Sequence, residues 1–173
     1  MKEVLERLRT LRVRDVMSAG PVSVDQSESL GAAAAVMIDR PVSGLPVVDE
    51  SGRCVGMLTA FDFVRRYSAE RNEERAALDG GDVRLTRGSE EEPLELESAG
   101  VETVAGNMSS GVQTIARDAT LLEAAREMCA AHIHRLPVVD VHGNVEGIIT
   151  SLDIVAAVVN AADEQSQQTR AKR

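Results

Sequence analysis

Residues 136–140 read Leu-Pro-Val-Val-Asp, and residues 45–49 read the same, 91 positions earlier. At this offset, residues 13–64 align with residues 104–155 without a gap, and 18 of the 52 aligned positions are identical. Two copies of one unit, rather than a long array, predict a domain with an approximate twofold axis. Such a domain would carry a pair of related clefts.

Each copy carries the pattern of an amphipathic helix. In the second copy, Thr120–Glu123 matches a capping box, in which a hydroxyl and a carboxylate satisfy the free amides of a helix start. Apolar side chains then recur at i, i+3, i+4 and i+7, which predicts one buried face. They are Leu121, Ala124, Ala125 and Met128, matched in the first copy by Leu30, Ala33, Ala34 and Met37.

A hairpin pattern follows this helix in each copy. Residues 136–140 and 145–150 are short β-rich runs separated by His142-Gly143-Asn144, and Glu50-Ser51-Gly52 is the turn in the first copy. A second helix begins after each hairpin. The fold class predicted is therefore α+β, with two β-α-β-β-α units.

Composition favours one folded body. A copy of about 55 residues alone would bury only roughly 60% of its unfolded surface, so the copies are expected to pack together. The chain has no apolar run of 18 residues, and its first residues do not open a signal peptide, so a soluble cytoplasmic protein without membrane contact is expected. Cys54 and Cys129 lie in no CxxC motif, which argues against a disulfide framework and predicts two buried thiols.

The net charge of −9 is concentrated in one segment. Residues 68–102 hold 11 acidic residues and 4 arginines, a net of −7, so the rest of the chain carries only −2. One Tyr, two Phe and no Trp leave few platforms for stacking bases. Nucleic acid is therefore not expected as the main partner.

These patterns divide the chain into five parts. They are an N-terminal amphipathic helix (1–12), the first repeat (13–67), an acidic helical or mobile connector (68–102), the second repeat (103–160) and a polar C-terminal tail (161–173). The N-terminal helix is expected to pack on the core or on a dimer partner. The helix that begins near Asp62 is expected to continue to Leu78, because no Gly or Pro interrupts it.

The element order, the Leu-Pro-Val-Val-Asp block and a Gly-apolar-x-Thr-x-x-Asp ending at residues 56–62 and 147–153 resemble the cystathionine-β-synthase (CBS) domain. This family occurs in tandem pairs, so the resemblance implies two units packed through their sheets, here as a stand-alone pair, and a homodimer of such pairs. It also implies a regulatory protein that binds AMP, ADP, ATP or S-adenosylmethionine in its clefts and acts on a partner in trans. No catalytic cofactor is expected.

The residues at each strand end suit a nucleotide. Thr59 and Thr150 follow a strand, and Asp62 and Asp153 fall on the first turn of the next helix. A carboxylate there can accept hydrogen bonds from both ribose hydroxyls, while the hydroxyl and the helix amides can face a phosphate. A simpler interpretation is that the threonines cap helices and the aspartates complement the helix dipole.

The resemblance implies further contacts. Ser23-Val24 and Thr114-Ile115, at the start of the first core strand, correspond to the place where backbone and apolar side chains hold adenine. His134 and Arg135 are similar to a segment of the regulatory γ subunit of AMP-activated protein kinase that contacts phosphates. The sequence does not say which cleft they serve, and Arg135 could instead be a surface residue paired with Glu127 or Asp140.

Other chemistry has little support. His132, His134 and His142 lie close in sequence but lack a second anchoring element with ligand spacing, so no metal site is expected. No Ser/His/Asp, Cys/His or Walker-type pattern occurs, so an enzyme is not expected. The alternative to a nucleotide-binding regulator is a constitutive dimerisation or scaffold module, in which the connector or the N-terminal helix recruits the partner. A transcription factor ranks third.

Overall fold

The computed structural model describes residues 2–79 and 102–171. The first half contains α1 (Lys2–Thr10), β1 (Ser18–Ala19), β2 (Val24–Asp25), α2 (Leu30–Asp39), β3 (Gly44–Val48), β4 (Cys54–Thr59) and α3 (Ala60–Asp79). The second half contains α4 (Val104–Asn107), β5 (Ser109–Ser110), β6 (Ile115–Ala116), α5 (Leu121–Ala131), β7 (Arg135–Val139), β8 (Val145–Thr150) and α6 (Ser151–Ala171). The predicted α+β class is confirmed, with β-α-β-β-α units from β2 to α3 and from β6 to α6.

The strands form two four-stranded sheets, and each sheet takes one strand from the other half. Their orders are β2-β3-β4-β5 and β1-β8-β7-β6. In each sheet a parallel strand and an antiparallel hairpin come from one unit, and the fourth strand comes from the other. Ser18 pairs with Ile148 and Ser109 with Met57, which are equivalent pairs at the 91-residue offset.

The segments before these exchanged strands complete the opposite cores. Val13 is fully buried among side chains of the second half, and Val104 is fully buried among those of the first. The backbone fixes this arrangement, since Val13 N donates to Ala119 O at 2.9 Å and Val104 N donates to Glu28 O at 2.8 Å. Neither core is complete without the other half, so the two halves pack together as the composition predicts.

Capping residues begin the central helices as the sequence predicts. Thr120 Oγ1 accepts from Glu123 N at 3.1 Å, and the Glu123 carboxylate accepts from Thr120 N at 2.7 Å. Donation from the backbone N–H and the hydroxyl of Thr120 to the carboxylate lowers the pKa of Glu123. Ser29 caps α2 by accepting from Ala32 N. The predicted inner face of α5 is buried at Leu121, Ala124 and Met128.

The two hairpin turns meet near the approximate twofold axis. Asp49 accepts from the Ser51 hydroxyl and from the backbone of Ser51 and Arg53, and these bonds lower its pKa from 3.8 to about 2. Asp140 organises the second turn through Asn144 in the same way. Arg53 pairs with Asn144, its own equivalent 91 residues later, so the turns lie against each other.

The terminal helices pack on the second half or extend beyond the repeats. Leu8 and Leu11 contact the second core, and α1 packs against α5 and α6. The helix after Asp62 reaches Asp79, as predicted, and residues 80–101 of the acidic connector lie outside the described residues. The segment predicted to be a polar tail is helical as far as Ala171, because no Gly or Pro interrupts α6, and Ala161 is buried.

The cysteine prediction is wrong for one residue. Cys54 is partly buried, and burial raises the pKa of its thiol, whereas Cys129 is exposed on the outer face of α5. Both are free thiols. Within residues 2–79 and 102–171, no helix has the length and apolar character needed to cross a membrane.

The exchanged strands approach glycine, which gives a stability test. A Cβ atom at Gly56 would lie 2.5 Å from Met108 Sδ and 2.8 Å from the carbonyl oxygen of Ser109. We expect Gly56→Ala to lower the free energy of unfolding by about 1–3 kcal/mol, because the exchanged strand must move. Gly31→Ala in α2 is the control, since its Cβ would meet only Ser29 Oγ at 4.0 Å. It should be neutral or stabilise by about 0.4–1 kcal/mol. Equal urea midpoints for the two variants would contradict the close approach.

Candidate functional site

Two cavities lie where the halves meet, and each has walls from both. The larger cleft, about 750 Å³, is lined by Ser43, Met57, Thr59, Ala60, Phe61, Ser109, Gly111, Val112, Gln113, Ala131, His132, Ile133, His134, Arg135 and Pro137. The smaller cleft, about 300 Å³, is lined by Ser18, Pro21, Val22, Pro41, Val42, Ser43, Gly44, Leu45, Arg135, Ile148 and Thr150. The larger volume is typical of small-molecule sites, which span about 300–1,000 Å³.

The two clefts are equivalent under the repeat. Each combines the threonine that ends one hairpin with the exchanged strand and the loop before the hairpin of the other half. Thr59 therefore faces the loop of the second half, and Thr150 faces the loop of the first. Of the predicted residues, the structure brings Thr59, His134 and Arg135 together in the larger cleft, and it brings Thr150 and Arg135 together in the smaller one.

The clefts differ in the loops that line them. The larger is lined by residues 131–135, which include two imidazoles and a guanidinium, and the smaller by residues 41–45, whose side chains are uncharged. His132 ends α5 in the left-handed conformation, with φ 53°. No aspartate or glutamate is among the described residues that line either cleft. The larger cleft therefore suits an anionic or strongly hydrogen-bonding group.

Arg135 lies on the wall between the clefts and lines both. Its Nη2 donates to Ser43 Oγ at 2.8 Å. Its Nη1 lies where Gly44 has no side chain, only 2.5 Å from the position that a Cβ would take. In the described part of the chain it forms no ion pair, so the alternative partners Glu127 and Asp140 do not hold it.

The two aspartates of the repeated motif act as helix caps and do not line either cleft. Asp62 Oδ2 accepts from Thr59 N at 2.8 Å and from Thr59 Oγ1 at 2.7 Å. Asp153 Oδ2 accepts from the equivalent atoms of Thr150, both at 2.7 Å. Each threonine hydroxyl thus donates its proton to a carboxylate and keeps only acceptor lone pairs for the cavity.

The aspartates differ in their surroundings. The Asp62 side chain is only 3% exposed, and its Oδ1 accepts from Arg65 Nη2 at 3.1 Å. Arg65 also donates to the carbonyl oxygen of Asn107, which ties α3 to α4. Asp153 is partly exposed, and Thr150 is the only described residue that donates to its side chain. Both oxygens of Asp62 therefore accept hydrogen bonds, whereas Oδ1 of Asp153 accepts none from a described residue.

The remaining predicted residues are not among the described residues that line either cleft. Val24 and Ile115 are buried in the two cores, and Ser23 and Thr114 are exposed. The residues immediately before them in the chain line the cavities: Pro21 and Val22 in the smaller cleft, and Val112 and Gln113 in the larger.

Several lining residues were missed by sequence reasoning. Ser43 and Ser109 contribute hydroxyls, and Phe61 contributes a ring that is 71% exposed. Ser109 could have been found by tracing the exchanged strand, but a two-residue strand has no periodicity to read. Among residues 2–79 and 102–171, no group of three or more His, Cys, Asp or Glu side chains is placed to hold a metal ion.

The chain belongs to the CBS-domain family, whose model matches residues 13–69 and 101–160. A chloroplastic CBS domain-containing protein of Arabidopsis thaliana, CBSX2, is 30% identical over 147 residues, which are 84% of this chain and 62% of that protein. An uncharacterized protein of Methanocaldococcus jannaschii, MJ1426, is 26% identical over 92% of this chain and 100% of its own length. This chain spans less than two thirds of the first curated relatives it matches, 62%, 33% and 22% of their lengths.

A solved structure with bound ligands has the same fold. It is the CBS domain pair of protein MJ0100 in complex with 5′-methylthioadenosine and S-adenosyl-L-methionine. The two chains are 26% identical and superpose with a TM-score of 0.60, over 84% of this chain and 94% of that one. Structure and family therefore agree on a pair of CBS domains.

The different surroundings of the aspartates predict different stability effects. Asp62→Ala should lower the free energy of unfolding by about 1–3 kcal/mol, because donors from Thr59, Arg65 and Ser109 lose a buried acceptor. Asp153→Ala, partly exposed and without an arginine, is the matched comparison and should cost less. Urea unfolding of both variants measures the difference. A larger loss for Asp153→Ala would contradict the role assigned to Arg65.

Proposed function

We propose that this protein is a regulatory module that binds an adenosine-containing ligand of the AMP, ADP, ATP or S-adenosylmethionine class in the clefts between its two CBS domains. The larger cleft supports the proposal, because it measures about 750 Å³ at the junction of the halves and has Arg135 and His134 in its wall. None of the described residues that line it carries a carboxylate. The MJ0100 domain pair, with two adenosine derivatives bound, supports the same ligand class. In this proposal the protein regulates a partner and does not itself catalyse a reaction.

The larger cleft offers separate places for the parts of a nucleotide. Arg135 and His134 would face the phosphate, since a guanidinium fork matches phosphate oxygens. Met57, Val112 and Pro137 give an apolar wall for adenine, with Thr114-Ile115 alongside. For Thr59 to donate to the phosphate, its hydroxyl must turn away from Asp62, which would keep the hydrogen bond from Thr59 N.

The smaller cleft would use the equivalent parts of the repeat. Thr150 and Arg135 line it, and Ser23-Val24 lie next to its apolar wall. The spare oxygen of Asp153 could accept from a ribose hydroxyl after a small movement of the side chain, whereas Arg65 occupies the corresponding oxygen of Asp62. Asp153 is thus the better candidate for a ribose contact.

The signal would arise because a ligand touches both halves. A molecule held between Thr59 of one half and residues 132–135 of the other favours one relative arrangement of the domains. Such coupling is typically worth about 1–3 kcal/mol. A partner in trans, or a second copy of the chain, would detect the arrangement.

A homodimer is the most direct way to transmit it. Exposed apolar side chains lie along α3 and α6 at equivalent positions of the repeat, as in the pairs Phe61/Leu152 and Val64/Val155. Val159 extends the row on α6. We propose that these two rows form the contact with a second copy.

A constitutive scaffold is the second candidate, and one observation favours it. Both repeated aspartates are engaged as helix caps and lie outside the linings of the two clefts. If the clefts have no physiological ligand, the Asp62→Ala, Asp153→Ala double variant should leave partner binding intact. The regulator requires that a ligand change partner binding.

Calorimetric titration of ligand-free protein with AMP tests the regulator. We expect binding, and we expect Arg135→Ala to weaken it roughly 10- to 150-fold, because a charge-assisted hydrogen bond contributes about 1.5–3 kcal/mol. Arg126→Ala, an exposed arginine outside both clefts, is the control and should bind as the wild type does. Absence of heat with AMP, ADP, ATP and S-adenosylmethionine would favour the scaffold.

Placing charged side chains in the two exposed rows tests the proposed dimer surface. Phe61→Asp together with Leu152→Asp should shift the mass measured by light scattering from dimer to monomer, because buried carboxylates would lose their water. Val141→Asp is the control, since this side chain is 95% exposed on a turn away from α3 and α6. A wild-type chain that is monomeric at high concentration would refute the dimer without affecting the cleft.

A further inference from the structure

We propose that Arg135 forms one anion-binding position shared by the two clefts, so that a phosphate bound in one cleft opposes a phosphate in the other. This inference rests on the proposed function and adds the relation between its two sites. The clefts would be negatively coupled for phosphorylated ligands and nearly independent for neutral ones.

The position of the guanidinium supports the sharing. Of the described residues, Arg135 and Ser43 are the two that line both cavities. The hydrogen bond from Arg135 Nη2 to Ser43 Oγ, 2.8 Å long, holds the guanidinium at the common wall. Gly44 lines the smaller cleft and leaves room for Nη1, which a side chain there would displace.

The charges around the shared wall determine which groups each cleft can offer to a phosphate. Within the described residues no carboxylate pairs with Arg135, so its charge is available to a ligand. The other residues in the described lining of the smaller cleft are uncharged. The larger cleft has further donors in His132, His134 and Gln113. For a phosphate, the smaller cleft therefore has Arg135 as its one cation among the described residues, whereas the larger cleft adds these donors to Arg135.

One guanidinium cannot serve two phosphates equally. Its planar fork fits one phosphate with two parallel hydrogen bonds. A second phosphate on the same group would also be repelled by the first across a short distance. The first phosphorylated ligand should bind in the larger cleft and draw Arg135 toward it, which leaves the smaller cleft without a cation. By linkage, the opposition is reciprocal.

Two single-tryptophan reporters separate the clefts, because the natural chain has no Trp. Ile133→Trp reports on the larger cleft and Val42→Trp on the smaller, as each of these two equivalent residues lines only that cleft. Each reporter is titrated with AMP and with adenosine. We define the affinity ratio as the half-saturation concentration in the smaller cleft divided by that in the larger. It should be roughly 5- to 150-fold greater for AMP than for adenosine.

Three variants test the cause. Arg135→Ala should lower the ratio for AMP, because the larger cleft loses the guanidinium that it draws in the wild type, and the part that remains comes from His132, His134 and Gln113. Arg126→Ala should leave both ratios unchanged. Gly44→Ala keeps the charge but places a methyl group where Nη1 lies, so it should weaken AMP selectively at the smaller-cleft reporter. If Arg135→Ala abolishes AMP binding, Gly44→Ala tests the sharing instead. Selective weakening of AMP at the smaller-cleft reporter supports the sharing, and no such weakening overturns it.

The measurements distinguish a failure of the shared anion-binding position from a failure of the proposed function. Equal ratios for AMP and adenosine in the wild-type background, with AMP bound at both reporters, would overturn the sharing and leave the proposed function in place. No response to AMP at either reporter, and no heat on titration, would overturn both.

Discussion

The exchange of short segments between the halves is the constraint on which the rest of the structure depends. Val13 and Val104 each fill the core of the opposite half, and Ser18 and Ser109 each add a strand to the opposite sheet. Each half therefore gains its full hydrophobic stabilisation only when the other half is folded against it. The same exchange brings each hairpin end against the other half's loop, so the clefts result from the packing that stabilises the fold.

The approximate symmetry makes the differences between the clefts informative. Ser43, which lines both cavities, is equivalent to His134, which lines only the larger, and Gly44 is equivalent to Arg135. Asp62 is buried under Arg65, whereas the position equivalent to Arg65 is Ala156 and leaves Asp153 open. Two sites with one ancestry thus offer different electrostatic environments, which allows them to differ in affinity.

Local patterns predicted most of the fold. The helix period, the capping box at Thr120 and the glycine turns act over a few residues, so the sequence alone predicts α2, α5 and both hairpins. The exchanged strands could not be predicted, because two residues carry no period and their partners lie far away in the chain. Cys129 was misplaced because its helix face depends on what packs beside it. For the site, the sequence predicted that Thr59 and Arg135 are functional residues, but not that Arg135 lies between two cavities.

Where two copies meet on an axis, an identical pair of chains must place each residue against its own twin. Arg53 lies against Asn144 in this way, and two arginines there would repel each other. Joining the copies in one polypeptide removes the requirement of self-complementarity. It permits a large side chain at position 135 to occupy the space left by the glycine at position 44, a fit between unlike residues that an assembly of two identical single units would not contain.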